Sequence, residues 1–115
     1  MADHKQFLIG AYKALNSGKI DAILAVMHAE VDWPNALGRG RIQGHQAFRT
    51  YWTAQLGRIQ MLVEPQRFMV EDDLMVVEAR QTVTDTSGVV LANRLVQHAF
   101  AFKDGLIKRM DIRPM

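Results

Sequence analysis

Cysteine is absent from the 115 residues. Disulfides, zinc–thiolate sites, iron–sulfur clusters and thiol nucleophiles are excluded with it. An excess of one charge is missing too. Fourteen Lys and Arg against twelve Asp and Glu leave a formal net charge of +2. That is no basic stripe of the kind that nucleic acid or an anionic membrane surface requires. No apolar run approaches the roughly 18–20 residues that cross a bilayer. Met1 to Gln6 carries Asp3, His4 and Lys5 and leads into no long apolar stretch. The expectation is therefore no signal peptide and a cytoplasmic protein. Linkers, repeats and low-complexity tracts are missing as well. What is present is 49% hydrophobic and 23% charged residues, the balance of a folded chain. The length suits one domain, 1–115, able to bury a core without disulfide or metal staples.

The period of the apolar residues changes halfway. Phe7, Leu8, Ala11, Tyr12 and Leu15 recur at helical spacing, which predicts a helix over Lys5 to Leu15 stopped by Asn16-Ser17-Gly18. A second short helix is expected from Ala22 to His28, and a short strand over Glu30 to Trp33 ended by Pro34. Gly38 and Gly40 mark Asn35 to Gln43 as a loop, with Gly38-Arg39-Gly40-Arg41 on a pocket rim. A third helix follows over Gln46 to Leu56, burying Phe48, Tyr51, Trp52 and Leu56. Four long strands come next: Arg58 to Val70, Leu74 to Asp85, Val89 to Phe102 and Leu106 to Ile112. Pro65 marks a bulge or an edge in the first of them. Turn chemistry separates them at Asp72-Asp73, Asp85-Thr86-Ser87-Gly88 and Lys103-Asp104-Gly105. Helices grouped before antiparallel strands give an α+β fold. Three helices on one face would curve the sheet around a cavity.

Alternation assigns the faces. Arg94, Val96, His98, Phe100 and Phe102 form the bulky side of their strand and are expected to face the helices. Met75, Val77, Ala79, Gln81 and Val83 share that side, as do Met110 and Ile112, while Asp111 and Arg113 point out. The inward polar groups are then Arg94, His98 and Gln81, with Tyr12 and Trp52 from the helices. A mainly apolar cavity with a few convergent polar groups is the usual form of a small-molecule site. His4, His28 and His45 share no metal-ligating spacing. No nucleophile elbow or phosphate-cradling glycine loop occurs.

Several stretches together span the chain: Ala11-Tyr12, Asn16-Ser17-Gly18-Lys19-Ile20-Asp21, Met27-His28-Ala29-Glu30-Val31-Asp32-Trp33-Pro34, Ile42-Gln43-Gly44-His45-Gln46-Ala47-Phe48, Val96-Gln97-His98-Ala99-Phe100 and Lys103-Asp104-Gly105-Leu106-Ile107. In them the sequence resembles the nuclear transport factor 2-like superfamily. That group includes ketosteroid isomerases, SnoaL-like polyketide cyclases and limonene epoxide hydrolases. The resemblance implies a cystatin-like roll, with three N-terminal helices on a strongly curved antiparallel sheet forming a cone, often dimeric. The isomerase's oxyanion tyrosine would fall at Tyr12. Its general-base position is Trp33, before Pro34, with Asp32 one residue off and so on the other face. Its second acid falls at His98. Isomerisation by that mechanism is not expected. The cyclases place a histidine on the penultimate strand and an acid on the last, matched here by His98 and Asp111. Such a pair would let the imidazole abstract a proton beside a carbonyl near neutral pH.

The candidate catalytic set is thus His98, Asp111, Tyr12 and Asp32. The ligand-binding set is Trp33, Trp52, Arg94, Gln81, Phe100 and Met110, with no metal and no cofactor. Each residue also has a plain structural role open to it. Tyr12 and the tryptophans could be core, Asp32 a solvated strand-end acid, Asp111 a partner of Arg109 or Arg113, and Arg94 a stem on the sheet with its head in water. The expected function is His-centred acid/base chemistry on an apolar carbonyl- or epoxide-containing molecule. The alternatives are a non-catalytic carrier and an interaction module. A homodimer is expected through the outer sheet face, where Leu95, Ala99 and Ala101 are apolar.

Overall fold

In α1 (His4–Ser17) the side chains of Leu8, Ala11, Tyr12 and Leu15 are buried, the face that the spacing predicts. The computed structural model describes residues 4–35 and 40–115, so Gly38 and Arg39 of the expected rim loop lie outside the described residues. Gly18 ends α1 at φ 71°, a backbone angle that a Cβ disfavours. The second helix, α2 (Ile20–Ala25), is shorter than expected. It gives way because Val26 and Met27 join the sheet: the Ile107 N–H donates to the Val26 carbonyl at 3.0 Å, and Met27 pairs with Ile107. The third, α3 (His45–Leu56), buries Phe48, Trp52 and Gln55 at spacings of four and three. Leu56, expected on the same face, lies outside the described side chains.

The strands are β1 (Met27–Pro34), β2 (Arg41–Gln43), β3 (Ile59–Glu71), β4 (Leu74–Asp85), β5 (Val90–Lys103) and β6 (Leu106–Pro114). They form one curled sheet in the order β2-β1-β6-β5-β4-β3, antiparallel throughout except where β1 runs parallel to β6. This is an α+β fold with the helices against one face. The reading of Arg41 to Gln43 as loop is corrected: it is a strand paired to Asp32–Pro34. Three residues with Ile42 alone buried carry no readable period. β3 is the far edge, and its register slips between Pro65 and Arg67, because proline cannot donate to a ladder. The β5–β6 turn has two successive positive φ angles, Asp104 at 55° and Gly105 at 76°, the geometry that matches strand twist. At the β4–β5 turn the Asp85 carboxylate accepts from the Ser87 and Val89 N–H groups, each at 2.9 Å.

The core lies between helices and sheet. Phe48 stacks on Trp52 and meets Trp33 edge-on, while Phe100 meets Tyr12 edge-on. These rings are nearly or fully buried. They hold α1, α3, β1 and β5 around one end of the sheet, where a cavity remains.

Candidate functional site

The cavity has about 40 Å³ of free space, room for two or three waters. α1 contributes Leu15 and Asn16, β1 Trp33 and Pro34, and α3 Tyr51, Trp52 and Gln55. The sheet contributes Met61, Val63, Gln81, His98, Met110 and Ile112. None of these is Lys, Arg, Asp or Glu. A wider hollow of about 150 Å³ adjoins it and shares Leu15, Asn16, Trp52, Gln55 and Met61. A guest held in the first could extend through the second toward Gly18 and Ile59.

His98 sits on the inward face of β5, between Val96 and Phe100, all three buried. Its Nδ1 lies 2.8 Å from the Tyr12 hydroxyl. Tyr12 Oη has no other partner among the described residues. Its proton therefore goes to Nδ1, since the alternative is a buried hydroxyl with nowhere to donate. That leaves the imidazole proton on Nε2. Burial pushes the His98 pKa down from 6.5 to about 4, so the ring is neutral at physiological pH. Burial likewise pushes the Tyr12 phenol well above its usual range.

Three wall residues carry a buried polar atom with no hydrogen-bond partner among the described residues: Trp52 Nε1, Gln55 Oε1 and Gln81 Oε1. The Gln81 amide nitrogen makes only a weak contact, 3.5 Å from Met61 Sδ.

The sequence-derived candidates separate into two groups. His98 and Tyr12 meet, and Trp33, Trp52, Gln81 and Met110 line the cavity. Phe100 is buried beneath it, packed edge-on against Tyr12 and His98. Asp111 does not pair with His98. The β5–β6 register sets His98 opposite Ile112 and Ala99 opposite Asp111, so the acid lies on the outer face. Asp32 lies there too, opposite in sense to Trp33. Both acids belong to a charge network: Arg41 Nε donates to Asp32, Arg41 Nη1 donates to Asp111 at 2.8 Å, and Arg109 donates to Asp111 at 2.9 Å and to Asp32 at 3.2 Å. The Arg109 hydrogen bond, with Arg41 beside it, holds the Asp111 carboxyl below the usual carboxylate range. Arg94 has the inward parity but lies exposed, beyond the covered part of β5.

Gln55 was missed by the sequence reading. Its signal was legible: a glutamine three residues after Trp52 and seven after Phe48, on an otherwise apolar helix face. Asn16 does more than stop the helix. Its amide in fact donates to the Val63 carbonyl and accepts from the Val63 N–H, both at 2.8 Å. No group of three or more His, Asp or Glu among the described residues could hold a metal ion. No helix among them is long and apolar enough to cross a membrane.

A family model described as SnoaL-like domain matches residues 9–110. No curated protein matches the sequence. Among solved structures, an NTF2-like protein of unknown function from Burkholderia pseudomallei K96243 is 21% identical, with a TM-score of 0.84, covering 100% of this chain and 92% of its own. TerC, co-crystallised with polyporic acid, is 24% identical with a TM-score of 0.81, over 96% of this chain and 89% of its own. An LEH-like epoxide hydrolase of M. tuberculosis is 18% identical with a TM-score of 0.78, over 94% and 79%. At these identities the likeness establishes the fold alone.

Proposed function

The chain belongs to the SnoaL-like domain family, and from that premise we propose that it is a small-molecule enzyme acting through His98 on an uncharged, largely apolar carbonyl- or epoxide-containing compound. The observation that carries this reading is the buried Tyr12–His98 pair, with His98 on the wall of an apolar cavity. With Nδ1 taken up by Tyr12, the ring offers Nε2–H to a ligand oxygen. A neutral imidazole N–H in a largely apolar site polarises a carbonyl and holds negative charge as it develops on oxygen. On an epoxide the same N–H would hold the oxygen while a water in the cavity attacks the ring carbon, the C–O bond breaks and the water's proton ends on the alkoxide. On a carbonyl compound it would hold the enolate oxygen while the α-proton leaves to a cavity water or to a basic group of the reactant.

A ring with its pKa near 4 is a poor proton acceptor at neutral pH. Its resting role is therefore that of hydrogen-bond donor. The acceptor role belongs to the reversed tautomer, in which Nδ1–H donates to Tyr12 Oη and Nε2 is bare. Asp111 and Asp32 have no part in this scheme, because Arg41 and Arg109 engage both carboxylates on the other face. The fold's occurrence in an LEH-like epoxide hydrolase and in TerC, co-crystallised with polyporic acid, supports small organic ligands as guests.

The test is turnover and thermal stabilisation over a panel of ring ketones, lactones and epoxides, with the natural chain and His98→Ala. The expected result is ligand stabilisation of both proteins, with turnover at least about 10²-fold lower in the variant. For the natural chain kcat/KM should stay flat between about pH 5.5 and 8, since His98 is neutral throughout. A bell with an apparent pKa near 6.5 would sink the donor role. Stabilisation of both proteins with every ligand recovered unchanged would make the protein a carrier. No response to any compound would favour an interaction module. We further infer that two copies pair through the outer sheet face, supported by exposed Leu62 and Leu95 on that face of β3 and β5.

A further inference from the structure

Trp52, Gln55 and Gln81 come from α3 and β4, and all three side chains are more than nine-tenths buried. All three residues line the same small cavity, and each carries a buried polar atom with no partner among the described residues: one N–H donor and two amide oxygens. Buried polar groups are nearly always paired, so three orphans on one wall call for an explanation. Packing supplies none. Methionine in place of either glutamine, or phenylalanine in place of Trp52, would fill nearly the same volume without an unpaired atom. Nor does the hydrogen-bonding framework among the described residues use these side chains, beyond the weak contact from the Gln81 amide to Met61 Sδ.

We propose that Trp52, Gln55 and Gln81 form a recognition subsite for the polar end of an uncharged hydroxylated ligand. That end would bring at least two hydrogen-bond donors, for Gln55 Oε1 and Gln81 Oε1, and one acceptor, for Trp52 Nε1–H. His98 Nε2–H adds a second donor for a carbonyl oxygen of the same molecule. This rests on the reading of the cavity as a ligand site and narrows its substrate class to hydroxy-carbonyl compounds. Neutrality follows from the wall. Among the described residues it carries no formal charge, and His98 is neutral, so an anion or cation would be stripped of water without a counter-charge there. Size also follows. Free space of about 40 Å³ admits only the functional end of a molecule, and the adjoining hollow of about 150 Å³ takes the next part. A site built to bond hydroxyls rejects analogues that lack them far more strongly than an apolar pocket rejects a missing methylene.

Resorcinol, resorcinol dimethyl ether and benzoate provide a matched set of probes: two donors, none, and a charge. Binding is read at pH 7 by NMR titration, following the indole N–H resonance assigned to Trp52 by its loss in Trp52→Phe. Resorcinol is expected to bind at least about ten-fold more tightly than its dimethyl ether. Benzoate is expected to bind weakest, and the Trp52 indole resonance to move with resorcinol. Gln55→Met and Gln81→Met should each remove the preference while melting at or above the natural temperature, because they delete an unpaired group. A purely structural role for the glutamines would lower the melting temperature instead and leave the preference intact. Equal or tighter binding of the ether or benzoate, an indole signal that no probe moves, or a preference that survives both methionine variants would overturn the subsite. If a methionine variant fails to fold, the probe order and the indole shift in the natural chain still decide. A resorcinol preference without turnover of any carbonyl compound would leave the subsite standing and defeat the enzymatic reading. Turnover without the preference would do the reverse.

Discussion

Protonating His98 inside the folded chain would put a cation among Tyr12, Val96 and Phe100 with no carboxylate beside it among the described residues, and that cost sets a pH dependence of stability. Unfolded, the ring titrates near 6.5; folded, burial holds it near 4. Between those values the unfolded chain binds a proton that the folded chain refuses. Stability is therefore fully present above pH 6.5 and falls as pH drops toward 4, by up to about 1.4 kcal/mol per pH unit. Asp111 is held low by Arg109, so its share is lost only at still lower pH, below 3.8. Urea denaturation at half-unit steps from pH 4.5 to 7.5 should show this decline, and His98→Gln should flatten it. A natural chain equally stable at pH 5 and pH 7 would mean that the folded ring is solvated or charged. The sequence marked His98 and Tyr12 as inward by period alone. What it could not give was their pairing across 86 positions of chain, which depends on how α1 lies over β5.

At the scale of elements, two side-chain devices finish what the backbone ladder leaves open. β3 is a sheet edge, and an edge strand exposes N–H and C=O groups that invite wrong pairing. Asn16, at the C-terminal end of α1, satisfies both groups of Val63 and so ties helix to edge. Asn16→Ala should cost about 1–2 kcal/mol in urea denaturation. An unchanged midpoint would show that solvent serves Val63 equally well. At the opposite side, the parallel β1–β6 ladder is sparse, with Met27 on Ile107 and Asp32 on Arg109 and a shift between them. The Arg41, Asp32, Arg109 and Asp111 network bridges β2, β1 and β6 there, which is why two acids that looked catalytic on paper are structural partners in space. Alternation did place Asp111 outward. The histidine–acid pairing borrowed from relatives required the opposite face, and the register of His98 with Ile112 forbids it.

For the molecule as a whole, the helices cover one face of the sheet and leave the other to solvent or a partner. Leu62 and Leu95 keep more than two fifths of their surface exposed on that outer face, and Val89, Val90 and Leu91 extend the exposure along the β4–β5 hairpin. Pairing of two copies there predicts a sedimenting species of twice the 13.0 kDa chain mass at micromolar concentration. Leu95→Lys should convert it to the single chain without loss of the fold, since the side chain is on the surface. A natural chain that sediments as a monomer would remove the pairing.

The sequence by itself determined the helices-then-strands order, the inward face along three of the four long strands and the turns between them. Apolar period and turn chemistry are local properties, written in residues three or four apart or two apart. The resemblance in short stretches along the chain carried the fold class further than period could. The tertiary structure alone decided which inward polar groups share a space. It brought Tyr12 to His98, set Gln55 beside Trp52 and Gln81 on the cavity wall, and carried Arg94 past the end of the covered surface. Those outcomes depend on strand register and helix placement, which long-range packing fixes. They also depend on the three-residue strand at Arg41–Gln43, too short to announce itself, which brings Arg41 to the two acids.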